Sequence, residues 1–183
     1  LQHRGQESWG IAVHNHEPYK RMGLVFQDEA ALEDIKRLDG EFGIGHVRYS
    51  TTGRTTIGNA HPIKIDSSLY IAHNGTLERE PLRDFLRGKG ITPSEEMTDT
   101  ELLGLGICRL RKDGHDWAEA FEILNEKLNG SFSLLMFTNK GELIVARDER
   151  GFRPLCLGWK ESINSYVVAS ESCALDTVKA KFL

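Results

Sequence analysis

Two apolar segments of the sequence end in residues that can bind a small polar molecule. The segment from Gly43 ends at the cationic Arg48, and the segment from Leu69 ends at Asn74 and Gly75. A guanidinium can clamp a carboxylate, whereas an amide side chain and a glycine N–H can stabilise an oxyanion that develops during a reaction. Because each segment resembles a strand that carries its last residues to a sheet edge, the two endings suggest chemistry on the amide of an amino acid.

Each of these residues also has a structural interpretation, which the sequence leaves open. Arg48 can form a salt bridge at the end of its strand. Asn74 and Gly75 form the dipeptide that most strongly indicates a two-residue hairpin. A helical pattern begins at about residue 77, so no second strand follows directly. This favours a functional loop after a strand over 69–73.

A third candidate, Asp99, lies at the start of a predicted helix. Thr98 and Glu101 have the spacing of a capping box, which places Asp99 in the first turn. An acidic residue there complements the helix dipole, and the same carboxylate can also receive an ammonium group. The local sequence does not decide between these two interpretations.

Other common catalytic and metal-binding arrangements are not indicated. His46 and His73 precede candidate site residues but lack the spacing of a hydrolase triad. No metal site is expected, because His14 and His16 have no further ligands. The sequence contains no nucleophile elbow and no glycine-rich phosphate loop. The cysteines are odd in number and unclustered, which fits reduced thiols in a cytoplasmic protein: Cys108, Cys156 and Cys173.

The composition indicates one globular domain over residues 1–183. Hydrophobic residues make up 39% of the chain and charged residues 27%, with a formal net charge of −4. No basic stripe indicates a nucleic-acid partner, and no apolar run has the length of a membrane span. Repeats, low-complexity segments and linkers are not apparent, so the chain offers no boundary between domains.

The order of predicted elements favours an α+β fold. Strands cluster at both ends of the chain and two helices occupy its centre, which is typical of layered antiparallel sheets and not of a doubly wound parallel sheet. The predicted strands cover about 8–14, 19–26, 42–50, 62–65, 69–73, 132–138, 142–147, 155–159 and 166–170. The predicted helices cover about 28–38, 81–86, 98–112 and 116–128, with a short helix from 172.

Six motifs occur in the order that characterises one enzyme family. They cover 2–8, 45–51, 73–75, 98–101, 147–155 and 169–172. In these motifs the chain resembles the glutaminase domain of the amidophosphoribosyltransferases, which are class II glutamine amidotransferases. The resemblance extends over nearly the whole chain. Its Gln-His-Arg-Gly, His-Val-Arg-Tyr and Ala-Ser-Glu-Ser elements differ from those of glucosamine-6-phosphate synthase.

The resemblance implies an N-terminal-nucleophile hydrolase fold, with four αββα layers and two antiparallel sheets. It also implies that the thiol of an amino-terminal cysteine attacks the side-chain amide of glutamine, releasing ammonia and leaving a thioester that water hydrolyses. The ammonia would pass to a covalently linked phosphoribosyltransferase domain, which makes phosphoribosylamine in the first committed step of purine synthesis. The implied magnesium ion belongs to that second domain, no cofactor is expected in residues 1–183, and a homo-oligomer is implied.

The resemblance assigns substrate-binding and oxyanion-stabilising roles to residues of these motifs. The α-carboxylate of glutamine would pair with Arg48, and its α-ammonium group would pair with Asp99. The oxyanion hole would be formed by Asn74 and Gly75. The residues beside the nucleophile and along the pocket would be Arg4, Gly5 and Thr51.

Two features depart from the family pattern. Leu1 stands first, whereas the family places its cysteine a short stretch upstream of the motif at 2–5. The N-terminal strand and nucleophile are therefore expected outside residues 1–183, and these residues alone are expected not to hydrolyse glutamine. The phosphoribosyl-diphosphate motif is also absent. Two alternatives stay open: the glutaminase domain of another class II amidotransferase such as glucosamine-6-phosphate synthase, and a non-catalytic glutamine-binding or regulatory module.

Overall fold

A computed structural model describes residues 1–49 and 56–183. The helices are α1 (Glu29–Lys36), α2 (Arg79–Gly88), α3 (Asp99–Lys112), α4 (Trp117–Asn125) and α5 (Ser172–Thr177). The strands are β1 (Ser8–Val13), β2 (Tyr19–Met22), β3 (Gly43–Arg48), β4 (Ile63–Ile65), β5 (Leu69–Leu77), β6 (Gly130–Thr138), β7 (Leu143–Arg147), β8 (Cys156–Lys160), β9 (Ser165–Ala169) and β10 (Lys181–Phe182). Short 3₁₀ turns cover Gln2–Arg4, Val25–Gln27, Ile57–Asn59 and Glu161–Ile163.

The described strands form three antiparallel sheets. One sheet has the order β4-β5-β6-β7, and the two others have the orders β2-β1-β3 and β10-β8-β9. The longest pairing joins β5 to β6, from Leu69 opposite Thr138 to Leu77 opposite Gly130. Because these two strands are far apart in the sequence, the three helices between them must fold back over the sheet.

The main hydrophobic core lies between the four-stranded sheet and helices α2, α3 and α4. Ile71 of β5 and Ile107 of α3 are both fully buried in it. Gly104 lets α3 approach β4 closely, since a Cβ at this position would be 2.5 Å from the side chain of Ile65. Burial of each large apolar side chain contributes roughly 1.5–3 kcal/mol. The packing therefore anchors α3, whose first residue is Asp99, against the sheet.

The opposite face of the four-stranded sheet packs against the β2-β1-β3 sheet. Tyr70 of β5 stacks on Phe137 of β6 with ring centroids 4.4 Å apart. Ala12 of β1 and Ile44 of β3 belong to the same buried cluster. Successive residues of a strand point to opposite faces, so neighbours along β5 contribute alternately to the two cores. This layering places β3 across from β5.

The third sheet is covered by α5 and linked to the start of the chain. Ala169 and Leu175 form a small core between β9 and α5. Glu171, which precedes α5, forms an ion pair with Arg4 at 2.5 Å and a hydrogen bond with His3 at 2.7 Å. The 3₁₀ turn at Gln2–Arg4 is thereby tied to the end of β9.

The α+β class with antiparallel sheets is confirmed, and the described strands are hydrogen-bonded as three sheets where two were expected. The two largest errors in the predicted boundaries lie at the ends of β2 and β5. β2 ends at Met22 and not at residue 26, because Gly23 has a φ of 84° and redirects the chain. β5 continues past residue 73 through Asn74 and Gly75, so this dipeptide is neither a hairpin turn nor a loop.

Candidate active site

A cavity of about 740 Å³ opens where the sheets meet. Its walls come from β3, the second half of β5, the start of α3, the segment before β8 and the end of β9. Ligand pockets for small molecules commonly have this size. The cavity wall includes five of the seven residues assigned by resemblance: Arg4, Arg48, Asn74, Gly75 and Asp99.

Of the two remaining residues, only Gly5 belongs to the described part of the chain. Gly5 lies under β3 and does not belong to the cavity wall. A Cβ at Gly5 would be 2.5 Å from the backbone nitrogen of Arg48 and 2.5 Å from the carbonyl carbon of Val47. Glycine is therefore needed for the segment before β1 to lie directly against the strand that carries Arg48. Thr51 lies outside the described residues.

Two arginines contribute to the cavity wall near β3. Arg48 ends β3, and its carbonyl accepts a hydrogen bond of 3.1 Å from the N–H of Glu7, which fixes its backbone. Arg4 donates to Glu171 at 2.5 Å. Hydrogen bonds from Arg4 and His3 lower the pKa of Glu171 to about 2. Glu171 therefore stays ionised and balances the charge of Arg4, and Arg48 supplies a guanidinium suited to a carboxylate ligand.

The backbone of β5 turns one edge towards the cavity. Phe132 of β6 lies opposite Gly75 in the ladder. Its N–H donates to the carboxylate of Asp148 at 3.0 Å, and its carbonyl accepts from the N–H of Asp148 at 3.0 Å. The backbone N–H and carbonyl of Phe132 thus point away from β5. In an antiparallel ladder this makes Gly75 and Phe132 a non-hydrogen-bonded pair, so the N–H of Gly75 points away from β6.

The neighbours of Gly75 along β5 confirm this direction. The N–H of His73 donates to Nδ1 of His61 at 3.2 Å. The N–H of Leu77 donates to Oδ2 of Asp99 at 3.0 Å. Alternate N–H groups of a strand point to the same side, so the N–H of Gly75 lies on this edge between two fixed hydrogen bonds. This position allows the N–H of Gly75 to donate to a ligand oxygen on that edge.

Asp99 is positioned by the start of α3. Thr98 and Glu101 form the predicted capping box, with Thr98 Oγ1 accepting from the N–H of Glu101 at 3.2 Å and Glu101 Oε2 accepting from the N–H of Thr98 at 2.8 Å. Asp99 Oδ1 accepts from the N–H of Thr100 at 2.9 Å. The helix cap and the ligand role are therefore compatible, because the same ordered carboxylate lies at the helix start and at the cavity wall.

Three histidines line the cavity beside the β5 edge: His61 and His73 are buried, and His46 is half-buried. The rings of His46 and His61 are 4.8 Å apart between centroids. Burial and the nearby His73 lower the pKa of His46 to about 4. Burial and the other two histidines lower the pKa of His61 well below its ordinary value. Burial also lowers the pKa of His73, although the Asp99 carboxylate opposes this effect. All three rings are therefore neutral near pH 7.

Sequence reasoning missed three residues of this region. His61 and Thr100 were not singled out, and Arg153 was noted only as part of a motif. Arg153 lines the cavity, and its charge helps to lower the pKa of His73. Both Thr100 and Arg153 lie inside motifs whose other members were recognised, so motif membership was the available signal. His61 had no such signal.

The three cysteines lie within the described residues, and none of them lines the cavity. Cys108 packs against the main core, where burial raises the pKa of its thiol to about 11. Cys156 packs against the small core beneath α5. Cys173 is exposed on α5, with its sulfur 3.5 Å from a carboxylate oxygen of Glu171. The cavity therefore receives no thiol from these cysteines.

Comparison with known proteins agrees with this geometry. The family model of the glutamine amidotransferase domain matches residues 46–177. The chain is 42% identical over 192 residues to the amidophosphoribosyltransferase of Archaeoglobus fulgidus and 43% identical over 190 residues to that of Methanocaldococcus jannaschii. Both alignments include the whole chain, which spans 40% and 39% of the length of these relatives.

Solved structures show the same relationship. The glutamine phosphoribosylpyrophosphate amidotransferase of Bacillus subtilis, complexed with ADP and GMP, is 33% identical to the chain with a TM-score of 0.74. The match covers the whole chain and 40% of that structure. Fold and site together define a glutamine amidotransferase domain with the N-terminal-nucleophile hydrolase fold. The chain belongs to the glutamine amidotransferase domain family, and the relatives that it resembles over its whole length are amidophosphoribosyltransferases.

Proposed function

We propose that the cavity binds free glutamine and is the ammonia-producing site of an enzyme that makes phosphoribosylamine from phosphoribosyl diphosphate. The convergence of Arg48, Asp99, Asn74 and Gly75 on one cavity carries this proposal. Arg48 suits the α-carboxylate of glutamine, and Asp99 suits its α-ammonium group. Asn74 and Gly75 together suit its side-chain amide. The names of the relatives support phosphoribosyl diphosphate as the acceptor of the ammonia.

The reaction begins when a thiolate attacks the amide carbon of bound glutamine. The carbonyl oxygen becomes an oxyanion, which accepts hydrogen bonds from the N–H of Gly75 and the side-chain amide of Asn74. The tetrahedral intermediate then expels the amide nitrogen, which takes up a proton and leaves as ammonia, while a thioester remains. Attack by water on the thioester releases glutamate and restores the thiol.

The attacking thiol is proposed to come from a strand outside residues 1–183. Among the described strands, β3 ends one three-stranded sheet and β9 ends another, and both contribute to the cavity wall. A strand seated between these two edges would carry its first residue to the cavity. An amino-terminal cysteine on this strand would use its own α-amine to accept the proton of the thiol.

The ammonia is proposed to pass to a linked phosphoribosyltransferase part. The relatives are longer than this chain, which spans about 40% of their length, so they carry a further region. A magnesium ion would serve that region and not the cavity described above. Within the described residues no helix is long and apolar enough to cross a membrane. We propose a cytoplasmic homo-oligomer for the full-length enzyme.

Calorimetric titration with glutamine tests the binding site directly. We expect saturable binding, with the affinity lowered at least about tenfold by Arg48→Ala and by Asp99→Asn, because each change removes a charged hydrogen-bond partner of the ligand. Arg37→Ala is the matched control, since Arg37 is exposed at the end of α1, away from the cavity. Absence of glutamine binding by the unmodified chain, or equal binding by all variants, would contradict the proposal. Ammonia release by residues 1–183 alone would contradict an external thiol.

A further inference from the structure

We propose that His73 and Thr100 are positioning residues that fix the Asp99 carboxylate relative to the oxyanion site at Gly75. This inference rests on the proposed glutamine site and adds a role for two residues that line the cavity and act on the ligand through Asp99. The two residues belong to a chain of contacts that runs from β5 to the start of α3. That chain sets the separation between the groups that bind the two ends of glutamine.

The first part of the chain joins His73 to Asp99. The side chain of His73 is only 2% exposed, and its Nδ1 lies 3.0 Å from Oγ1 of Thr100. Oγ1 of Thr100 lies 3.4 Å from Oδ1 of Asp99, while Nδ1 of His73 lies 3.8 Å from Oδ2 of Asp99. The hydroxyl therefore lies between the imidazole and the carboxylate that is proposed to bind the ammonium group.

The second part of the chain joins His73 to Gly75. A Cβ built at Gly75 would be 2.7 Å from Nε2 of His73, so the ring occupies the space beside the glycine. Nε2 is buried on the same side of the ring as the backbone carbonyl of Ser131, which raises the pKa of His73. One imidazole thus contacts the oxyanion site at one end and the ligands of the ammonium site at the other.

The protonation of His73 follows from these contacts. The ring is neutral, so one nitrogen carries a proton and the other does not. A proton on Nδ1 faces the Asp99 carboxylate favourably and can be donated to Oγ1 of Thr100, whose own proton then points to Oδ1 of Asp99. The other tautomer would turn the lone pair of Nδ1 towards the Asp99 carboxylate, which repels it, although the backbone carbonyl of Ser131 would then accept from Nε2. We therefore assign the proton to Nδ1.

The experiment measures the affinity for glutamine and for glutaramate, which lacks only the α-amino group. Thr100→Val removes the hydroxyl while keeping the shape of the side chain. We expect it to weaken glutamine binding about three- to tenfold, the effect of one hydrogen bond, and to leave glutaramate binding unchanged. Thr100→Ser should restore glutamine binding, because it restores the hydroxyl.

Thr138→Val is the matched control. Thr138 is also a buried threonine whose hydroxyl bonds to a carboxylate, that of Glu142 at 3.0 Å, but it lies at the far end of β6 and outside the cavity wall. Its valine variant should lose stability without a change in either affinity. If Thr100→Val weakens both ligands equally, or neither, the positioning role is overturned while the glutamine site stands. If the unmodified chain does not bind glutamine at all, both proposals fail.

A second measurement is independent of any variant. Nitrogen NMR of the imidazole rings distinguishes a protonated Nδ1 from a protonated Nε2. The proposal expects the Nδ1–H tautomer for His73 in the unmodified chain near neutral pH. An Nε2–H tautomer would mean that the Thr100 hydroxyl donates to His73 and not to Asp99, and this result would overturn the proposal even if Thr100→Val fails to fold.

Discussion

At the scale of single residues, Gly75 shows why the site tolerates little change. Its φ of 155° lies in a region that side-chain-bearing residues rarely adopt. A Cβ there would also be 2.0 Å from the carbonyl oxygen of Ser131 and 2.7 Å from Nε2 of His73. Backbone strain and steric overlap therefore both require glycine, at the residue whose N–H faces the cavity.

Gly75→Ala should destabilise the protein by about 2–4 kcal/mol, because the strand must shift away from β6 to accept a side chain. The free energy of unfolding, measured by urea denaturation, tests this. Gly88→Ala is the control: Gly88 ends α2, and a Cβ there would have no neighbour within 4 Å. It should stabilise the helix by up to about 1 kcal/mol. Similar effects of the two substitutions would refute the steric argument.

Residue type made part of the site predictable. Arg48 and Asp99 are charged residues beside apolar segments, and Asn74 precedes a glycine, so each indicated chemistry by itself. His73 and Thr100 could not be assigned in this way. Their contact joins β5 to α3, and only the packing of the helix on the sheet brings them together.

At the scale of elements, the start of α3 links stability to ligand binding. The same capping box that begins this helix holds Asp99 at the cavity wall. Helix α4 begins with an equivalent box, formed by Asp116 and Glu119, on the exposed surface and outside the cavity wall. Among the described residues two helices therefore begin with a capping box, and one of these boxes lies at the cavity wall.

Thr98→Ala and Asp116→Ala should each cost about 1 kcal/mol of unfolding free energy, since each removes a side-chain acceptor of a helix N-terminus. Only Thr98→Ala should also weaken glutamine binding, because only this cap is adjacent to Asp99. Urea denaturation and calorimetric titration of both variants measure the two effects. A loss of affinity in Asp116→Ala as well would show that general destabilisation, and not the position of Asp99, is responsible.

The elements themselves were predicted best where the signal is local. Capping residues at 28, 98 and 116 marked the starts of α1, α3 and α4 correctly. The end of β5 was predicted too early, since Asn74 and Gly75 have strong turn preferences in isolation. Pairing with β6 overrides those preferences, and this partner strand lies too far along the sequence for any local pattern to indicate it.

At the scale of the whole molecule, the buried histidines should make the fold sensitive to mild acid. Burial lowers the pKa of His46 from 6.5 to about 4 and also lowers those of His61 and His73. In the unfolded chain these histidines bind protons as the pH falls below 6.5. In the folded chain they bind protons only at a lower pH. The contribution of these histidines to the free energy of unfolding is therefore fully present above pH 6.5. It is lost as the pH decreases towards their folded-state pKa values.

The free energy of unfolding should fall by up to about 1.4 kcal/mol per pH unit through His46 between about pH 6.5 and about pH 4, and His61 and His73 should add to this slope. His46→Gln should reduce this slope by the share of one histidine, and His16→Gln, in the turn between β1 and β2 and outside the cavity wall, is the control. Urea denaturation at a series of pH values measures the slope. Glu171 affects the profile only below about pH 4.5, because its contribution is lost between its ordinary pKa of 4.5 and its folded-state pKa of about 2. A flat profile in this window would contradict neutral burial of the three rings.

The open edges of β3 and β9 have a consequence for handling the chain in solution. Within the described residues each strand ends its sheet, with a row of backbone donors and acceptors on the outer side. Such an edge is a template onto which a further strand can add, including one from another copy. Residues 1–183 kept on their own at high concentration are thus prone to self-association along these edges, and a short synthetic strand seated there would improve their solubility.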